Sequence, residues 1–230
     1  MNFSIDVFFE TILIVATAVP RVMGLAAIIL VLGVILGGLL TMLRRKQIPV
    51  LTQIIEIILS YMRGVPLIVH LFIIRYALPG LSGSFLSLFG VTSDPADFPS
   101  IVMVIVAFTM LELTVESENI RGAFASISKD QFDAAYSIGM TNKQAYRQII
   151  IPQALAVVTP LFMNAYIKNI KALSLAFTVG VVDILTQARY AAALSYRYLE
   201  SYVAAAIVYW IICGLLQFVF DRVEKKVTFE

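Results

Sequence analysis

The sequence has little charge and almost none of the residues that bind metals through sulfur or imidazole. Of its 230 residues, 14% are charged and 60% are hydrophobic, whereas about a quarter of the residues in a soluble domain are charged. The single cysteine, Cys213, excludes an intrachain disulfide. The lone His70 lies in an apolar run without a neighbouring Cys, His or carboxylate cluster, so we predict no metal site. The low charge and the high hydrophobic content predict an integral membrane protein.

Other patterns are also missing. The net charge of +2 argues against nucleic acid as a partner. There is no G-x-x-x-x-G-K-[ST] phosphate loop, so the chain is not expected to bind ATP through one. We therefore expect no cofactor and no catalytic residues in this chain. Asp6, Glu10 and the absence of a basic n-region argue against a cleavable signal peptide.

Five hydrophobic regions predict five membrane-spanning helices. At about 1.5 Å per residue the first extends about 33 Å, enough for the hydrocarbon core of a bilayer. Its glycines predict close approach by other helices; they are Gly24, Gly33, Gly37 and Gly38. The predicted spans are Val22–Leu43, Ile48–Leu78, a span from Ile101, Gln148–Ile167 and Ser201–Phe220. We predict an all-α polytopic membrane protein in which residues 1–230 form one domain.

Charge placement predicts the orientation of these spans. Basic clusters at Arg44–Lys46, Lys143 with Arg147, and Arg222–Lys226 fall on one side of the predicted membrane. Lys and Arg concentrate in cytoplasmic loops, so we expect the N-terminus outside and the C-terminus inside. The region Pro79–Pro99 is rich in Gly, Ser and Pro and has no Lys or Arg, which predicts an external loop.

Two interruptions of the apolar runs predict special local structure. In Arg63–Leu67, Gly64 weakens the helix and Pro66 removes a backbone donor, so we expect a kink or local unwinding. One alternative is that Arg63 only extends to the lipid headgroups. The uncharged run Ala172–Val182 is too short to span a bilayer alone, which predicts a re-entrant or broken helix lining a protein cavity.

Two carboxylates are predicted at membrane depth. Glu112 and Glu116 are four residues apart and share one helix face. Charges inside a span usually face a cavity, a partner or an ion path. The alternative is structural: the pair neutralises Lys168 and Lys171 across a helix interface.

The longest mainly polar stretch, Ser128–Pro152, predicts two short helices between two spans. Ser128 with Gln131 and Thr141 with Gln144 each fit a capping box. We call this stretch the coupling segment.

The coupling segment resembles the "EAA" loop in the membrane subunits of bacterial ABC importers. That family pattern is E-A-A, three residues, Gly, about nine residues and a hydrophobic-x-Pro ending. Here it is Asp133-Ala134-Ala135, Gly139 and Ile150-Ile151-Pro152, with Asp in place of Glu. The resemblance implies a type I ABC importer transmembrane domain whose coupling helix docks in a cleft of an ATPase. An ordinary cytoplasmic helical hairpin is the alternative.

Two more segments resemble the polar amino-acid permeases of that group. Arg63–Leu67 is similar to R-G-T-P-L, with Val65 replacing Thr, and Ile170–Leu175 is similar to L-K-D-T-S-L, with Ala172 and Leu173 departing. The resemblance covers roughly Met23–Phe220. It implies a membrane subunit of an amino-acid importer in a bacterial plasma membrane. The implied partners are a second, identical or related, permease subunit, two ATPases that hold ATP and Mg, an external substrate-binding protein, and lipid.

The resemblance and the intramembrane charges together give the candidate site residues. The expected coupling residues are Asp133, Ala134, Ala135, Gly139 and Pro152. Arg63 and Lys171 are candidates for the substrate carboxylate, and Glu112 and Glu116 for its ammonium. The expected substrate-binding set is Arg63, Gly64, Pro66, Leu67, Glu112, Glu116, Lys171 and Ser174.

The departures at Ala172 and Leu173 bear on the substrate. Losing an acid at Ala172 argues against a cationic side chain, and Leu173 predicts a more apolar wall. We therefore expect a neutral polar or sulfur-containing amino acid such as cystine, glutamine or a cysteine derivative.

Two other functions are possible on sequence alone. A stand-alone ion-coupled carrier would use Glu112, Glu116 and Lys171 as proton or ion sites. Three features argue against this carrier: the small number of spans, the lack of an evident inverted repeat, and the coupling segment, which would have no ATPase to move it. The intramembrane charges argue against a purely structural scaffold.

Overall fold

A computed structural model describes residues 3–88, 94 and 97–227 of the chain. The described residues form helices and contain no β-strand, which confirms the predicted all-α class. The helices are α1 Ile5–Ala16, α2 Val19–Arg45, α3 Pro49–Gly64, α4 Leu67–Ser87, α5 Ser100–Ala125, α6 Lys129–Ser137, α7 Asn142–Ala145, α8 Ile151–Ala172, α9 Ile184–Ser195 and α10 Tyr198–Val227.

Five stretches of the described chain are long and apolar enough to cross a membrane, as predicted. They are Ile5–Arg45, Leu67–Phe85, Ser100–Ala125, Asn142–Val179 and Tyr198–Lys225. The prediction of one span over Ile48–Leu78 was wrong, because that region is two helices and only α4 has the required length. The first span also begins earlier than predicted, since α1 precedes α2 with only a short bend between them.

The predicted loop Pro79–Pro99 is also partly wrong. Helix α4 continues through Pro79 as far as Ser87. The hydroxyl of Ser82 donates to the carbonyl of Pro79 at 2.9 Å. Part of the predicted loop, residues 89–93, 95 and 96, lies outside the described chain.

The centre of the bundle is the contact between α2 and α5. Gly33 and Gly37 of α2, four residues apart, face α5 directly. A Cβ atom built at Gly37 would lie 2.8 Å from the backbone nitrogen of Ser117, so only glycine permits this approach. Thr41 adds a hydrogen bond from its hydroxyl to the Ser117 carbonyl at 3.0 Å. The prediction of close approach is therefore confirmed at Gly33 and Gly37, whereas nothing lies within 4 Å of a Cβ at Gly24.

Helices α3 and α4 pack on α5 from one side, while α8, α9 and α10 complete the bundle together with α1. Helix α1 is held at its start, where the Ser4 backbone N–H donates to Glu200 at 3.0 Å. We call the end of the bundle that carries Arg44, Glu118 and the coupling segment the Arg44 end.

The broken helix predicted near Ala172–Val182 is present. Helix α8 ends at Ala172, a 3₁₀ turn covers Leu173–Val179, and Gly180 has a φ of 87°. The buried Asp183 then caps α9 by accepting from the backbone N–H groups of Leu185 and Thr186. A seven-residue 3₁₀ turn is unusually long and marks a place where the helix is not regular.

Candidate functional site

A pair of carboxylates lies in the middle of the bundle. Glu112, halfway along α5, is 2% exposed, and Glu116, one turn later, is fully buried. An oxygen of Glu112 lies 3.4 Å from the ammonium of Lys168 on α8. Glu116 accepts a hydrogen bond from the side-chain amide of Asn119 at 3.0 Å. Gly33 makes room for the pair, because a Cβ there would lie 2.6 Å from Cγ of Glu112.

The hydrogen bonds of this acidic pair are incomplete. One oxygen of Glu112 and one of Glu116 are buried without a hydrogen-bond partner among the described residues. An unpaired buried acceptor costs about 1–3 kcal/mol, and more when it is charged. Among the described residues, one cation, Lys168, forms an ion pair with these two carboxylates. The pair therefore has free capacity for a proton, a water molecule or an ammonium group.

Asn169, which the sequence analysis did not single out, is the neighbour of Lys168. It is 2% exposed, and its side-chain Nδ2 has no partner among the described residues. A polar residue directly beside a lysine at the end of an apolar run was the signal that could have identified it.

The predicted helix break at Arg63 is confirmed. Helix α3 ends at Gly64, and Val65 is extended with a φ of −104° and a ψ of 130°. The Arg63 side chain is exposed and donates from Nε to the carbonyl of Leu59 at 3.2 Å. It has no carboxylate partner in the part of the chain that the structure describes.

The depth of Arg63 follows from its neighbour Met62. Met62 lines an apolar cavity of about 140 Å³ together with Met110 and Thr114, which lie two positions on either side of Glu112. Arg63 is therefore at about the same depth as Glu112. An arginine at that depth does not normally face lipid.

The remaining candidates lie at two places, one where α8 gives way to the 3₁₀ turn and one between α3 and α4. Lys171 is exposed in its last turn, and Ser174 is half-buried in the 3₁₀ turn. Gly64 and Pro66 are exposed beside Arg63, and Leu67 is half-buried. No hydrogen bond or ion pair joins Arg63, Glu112 and Lys171 to one another within the described residues. A further contact, from Arg75 of α4 to the Thr178 carbonyl at 2.9 Å, holds α4 against the 3₁₀ turn.

The coupling segment has most of the local structure that was predicted. Gly139 has a φ of 81°, as expected for a residue that ends a helix in the left-handed region. The capping box of Thr141 and Gln144 is formed in both directions. Ser128 caps α6 by accepting from the Asp130 backbone N–H at 3.2 Å.

Two details of the segment differ from the prediction. Gln131 does not complete a box with Ser128, because its side-chain oxygen accepts from Gln153 of α8 at 3.4 Å. The second short helix also does not end at Pro152. It continues from α7 through a π-helical turn, Tyr146–Ile150, directly into α8. Pro152 lacks an N–H and crowds the carbonyl four residues earlier, and the wider π turn just before it suits this position.

The surface of the coupling segment is available to a partner. Asp133, Ala134 and Gly139 are exposed, whereas Ala135 is 1% exposed and packs inward. Ile138 is 77% exposed beside Gly139 and presents an apolar side chain to solvent. Pro152 is half-buried at the start of α8.

An ion-pair cluster fixes the helices next to the coupling segment. Arg44 of α2 contacts Glu56 of α3 at 2.6 Å and Glu118 of α5 at 2.7 Å. Arg121 also contacts Glu118 at 2.7 Å. The cluster joins three helices at the end where the hairpin is attached.

Five apolar helices around unsatisfied buried carboxylates, with a folded hairpin exposed at one end, define a membrane transport subunit. Residues 29–229 match the family described as "Binding-protein-dependent transport system inner membrane component". The chain belongs to this family, the membrane subunits of ABC importers.

Known proteins agree with this assignment. The chain is 34% identical over 228 residues to the "Probable amino-acid ABC transporter permease protein PatM" of Vibrio harveyi, covering 99% of this chain and 98% of the relative. It is 33% identical over 208 residues to the "L-cystine transport system permease protein TcyL" of Bacillus subtilis, covering 90% and 84%. A solved chain described as "Crystal structure of an amino acid ABC transporter with histidines" has the same fold, with a TM-score of 0.82, 22% identity and coverage of 98% and 100%.

Proposed function

We propose that this chain is the membrane subunit of an ATP-driven importer of a neutral polar or sulfur-containing amino acid. It works with a second permease subunit, two ATPases that hold ATP and Mg, and an external substrate-binding protein. The observation that carries the proposal is the continuous helix from the exposed coupling segment to Lys168, beside the buried Glu112. A movement of the hairpin then reaches the middle of the bundle.

The coupling residues supply the docking surface. Asp133, Ala134 and Gly139 are exposed with Ile138 on the hairpin. An ATPase cleft would cover this apolar side chain, and that burial favours association. Ala135 packs inward, and Pro152 lies at the start of α8 next to the π turn.

The substrate groups match the charges at mid-depth. A free amino acid has an ammonium and a carboxylate, and each needs a partner away from bulk water. The unpartnered oxygens of Glu112 and Glu116 suit the ammonium. Arg63, exposed and without a carboxylate partner in the described chain, suits the carboxylate because its guanidinium matches it in bidentate geometry. Lys171, Ser174 and the backbone around Gly64–Leu67 are the other proposed contacts.

Two observations indicate the kind of side chain that the substrate has. Ala172 supplies no acid for a cationic side chain, and the relative TcyL is named a cystine permease. The further support expected from Leu173 is lost, because Leu173 is 1% exposed and packs in the core instead of forming a wall. Cystine is therefore the first substrate to test, and glutamine the second.

The proposed orientation places the Arg44 end in the cytoplasm of a bacterium and the N-terminus outside. Arg44, Arg45 and Lys46 lie at the same end as the basic residues Lys143 and Arg147 of the coupling segment, as the distribution of basic residues requires.

One experiment tests the proposal against the carrier alternative, which the family match does not favour. The purified complex is reconstituted in liposomes with the binding protein outside and ATP inside, and uptake of labelled cystine is measured with the proton gradient collapsed. Uptake that requires ATP and persists without the gradient is the expected result. Uptake that follows the gradient and ignores ATP would show a carrier. Competition by unlabelled cystine, glutamine and arginine then ranks the substrates, and arginine as the strongest competitor would overturn the substrate class alone.

A further inference from the structure

A cavity at the Arg44 end lies apart from the proposed transport path. It has a volume of about 380 Å³ and is enclosed by α2, α5 and the coupling segment. Its wall combines four large apolar side chains with two arginines: Met42, Ile120, Phe124, Phe132, Arg45 and Arg121. Both arginines are exposed and Met42 is 66% exposed, so the cavity is reachable from the surface.

The two arginines differ in how far their charge is neutralised. Arg121 pairs with Glu118 within the cluster of Arg44, Glu56, Glu118 and Arg121, whose formal charges sum to zero. Arg45 has no carboxylate partner in the part of the chain that the structure describes. The cavity wall therefore carries an uncompensated positive charge.

Tyr146 holds the Arg45 guanidinium in place. Arg45 donates from Nη2 to the Tyr146 hydroxyl at 3.0 Å, and its Cζ lies 5.8 Å from the centre of the Tyr146 ring. Phe132 packs edge-on against that ring, with 5.5 Å between the ring centres. This arrangement uses one of the five N–H donors of the guanidinium and leaves the others for an anion.

An apolar surface leads from the cavity along α2. Ile35, Leu39 and Met42 recur at intervals of four and three residues, so they share one face of the helix. They are 54%, 53% and 66% exposed. In a bilayer an acyl chain can lie along this face while its headgroup stays near Arg45.

We propose that this cavity binds an anionic phospholipid. Its phosphate contacts Arg45 and Arg121, and one acyl chain follows Met42, Leu39 and Ile35. Basic pockets between membrane helices bind anionic headgroups because the charge attraction adds to burial of the chains. The bound lipid would also contact Phe132 and Tyr146, so it would lie against the coupling segment.

The test measures lipid binding to the purified complex of this chain with its ATPase. The probe is phosphatidylglycerol, titrated in detergent and followed by native mass spectrometry, with phosphatidylcholine as the neutral lipid. Arg45→Gln should weaken phosphatidylglycerol binding about fivefold, which corresponds to one basic side chain near an anionic surface. Arg222→Gln is the matched control, because Arg222 is also exposed and lies over an aromatic ring, that of Phe218 at 4.4 Å, but belongs to α10 away from the cavity. It should leave binding unchanged.

Further variants and outcomes complete the test. Tyr146→Phe keeps the ring and removes only the hydroxyl that positions Arg45, so a loss of about threefold is expected even if Arg45→Gln is poorly folded. Equal affinity for phosphatidylcholine would overturn the proposal. So would full displacement by millimolar inorganic phosphate, which would show an anion site that does not use the acyl chain. Loss of ATPase co-purification in Arg45→Gln, with unchanged phosphatidylglycerol binding, would assign the cavity to the interface with the ATPase. That result would also overturn the proposal.

Discussion

Replacing Gly37 by alanine tests the close packing of α2 on α5 with a single carbon atom. The new Cβ would lie 2.8 Å from the Ser117 nitrogen and 2.9 Å from the Leu113 carbonyl oxygen, and both are backbone atoms that cannot rotate away. Non-bonded carbon contacts are normally about 3.5–4.0 Å. The helices would therefore have to separate by roughly 0.5–1 Å, which also stretches the hydrogen bond from Thr41 to the Ser117 carbonyl.

The expected loss of stability follows from three contributions. Overpacking costs about 1–3 kcal/mol, and a weakened hydrogen bond costs up to about 1 kcal/mol. Alanine is favoured over glycine inside a helix by about 1 kcal/mol. The net loss for Gly37→Ala is then about 2 kcal/mol. Gly24→Ala on the same helix is the control, because its Cβ meets nothing within 4 Å and only the helix preference acts.

The measurement is the thermal unfolding midpoint of both variants, purified in the same detergent. A gap of about 3 kcal/mol corresponds to roughly 6–12 °C for a chain of this size. Gly37→Ala should therefore unfold well below Gly24→Ala. An equal or higher midpoint for Gly37→Ala would show that α2 and α5 are not as close as the structure places them.

Three further predictions concern transport. Gly139→Val should reduce ATPase co-purification, because a β-branched residue resists a φ of 81°. Gly139→Asn should retain co-purification, because asparagine tolerates the left-handed region. Equal co-purification of the two variants would contradict a backbone effect. Arg63→Lys keeps the charge but loses the guanidinium fork. Uptake should fall about tenfold, because two hydrogen bonds to the substrate carboxylate are weakened. Unchanged uptake in both Arg63→Lys and Arg63→Ala would exclude Arg63 from the path. Glu112→Gln should reduce uptake and also remove the ion pair of Lys168. Glu116→Gln should reduce uptake only if Glu116 meets the substrate. Normal uptake in both variants, with normal assembly, would show that the pair is structural.

The features that were predicted correctly depend on short-range rules. Gly64 and Pro66 end a helix because of their own backbone restrictions, and Gly139 takes a positive φ for the same reason. The Thr141–Gln144 box needs only residues three apart. The number of spans depends on the length of apolar runs, which can be read without knowing how the helices pack.

The errors involve contacts between residues distant in sequence. Gln131 accepts a hydrogen bond from Gln153 instead of completing a cap. The structural alternative for the acidic pair named both Lys168 and Lys171, and Glu112 meets Lys168. Leu173 was expected on a wall but is 1% exposed and packs in the core. None of these contacts is determined by the spacing of residues along one helix.

The π turn at Tyr146–Ile150 gives the coupling segment a mechanical connection to the acidic pair. Helix α7, the π turn and α8 run without interruption from Asn142 to Ala172, about 45 Å at about 1.5 Å per residue. A hairpin on a flexible loop could move without effect on the bundle, whereas a hairpin on a continuous helix passes part of its movement along that helix. Because Lys168 lies near the far end of this helix and meets Glu112 at 3.4 Å, a rotation of the hairpin changes the distance between ammonium and carboxylate. In the proposed function, docking at the Arg44 end and substrate release at mid-depth would then be two consequences of the same movement.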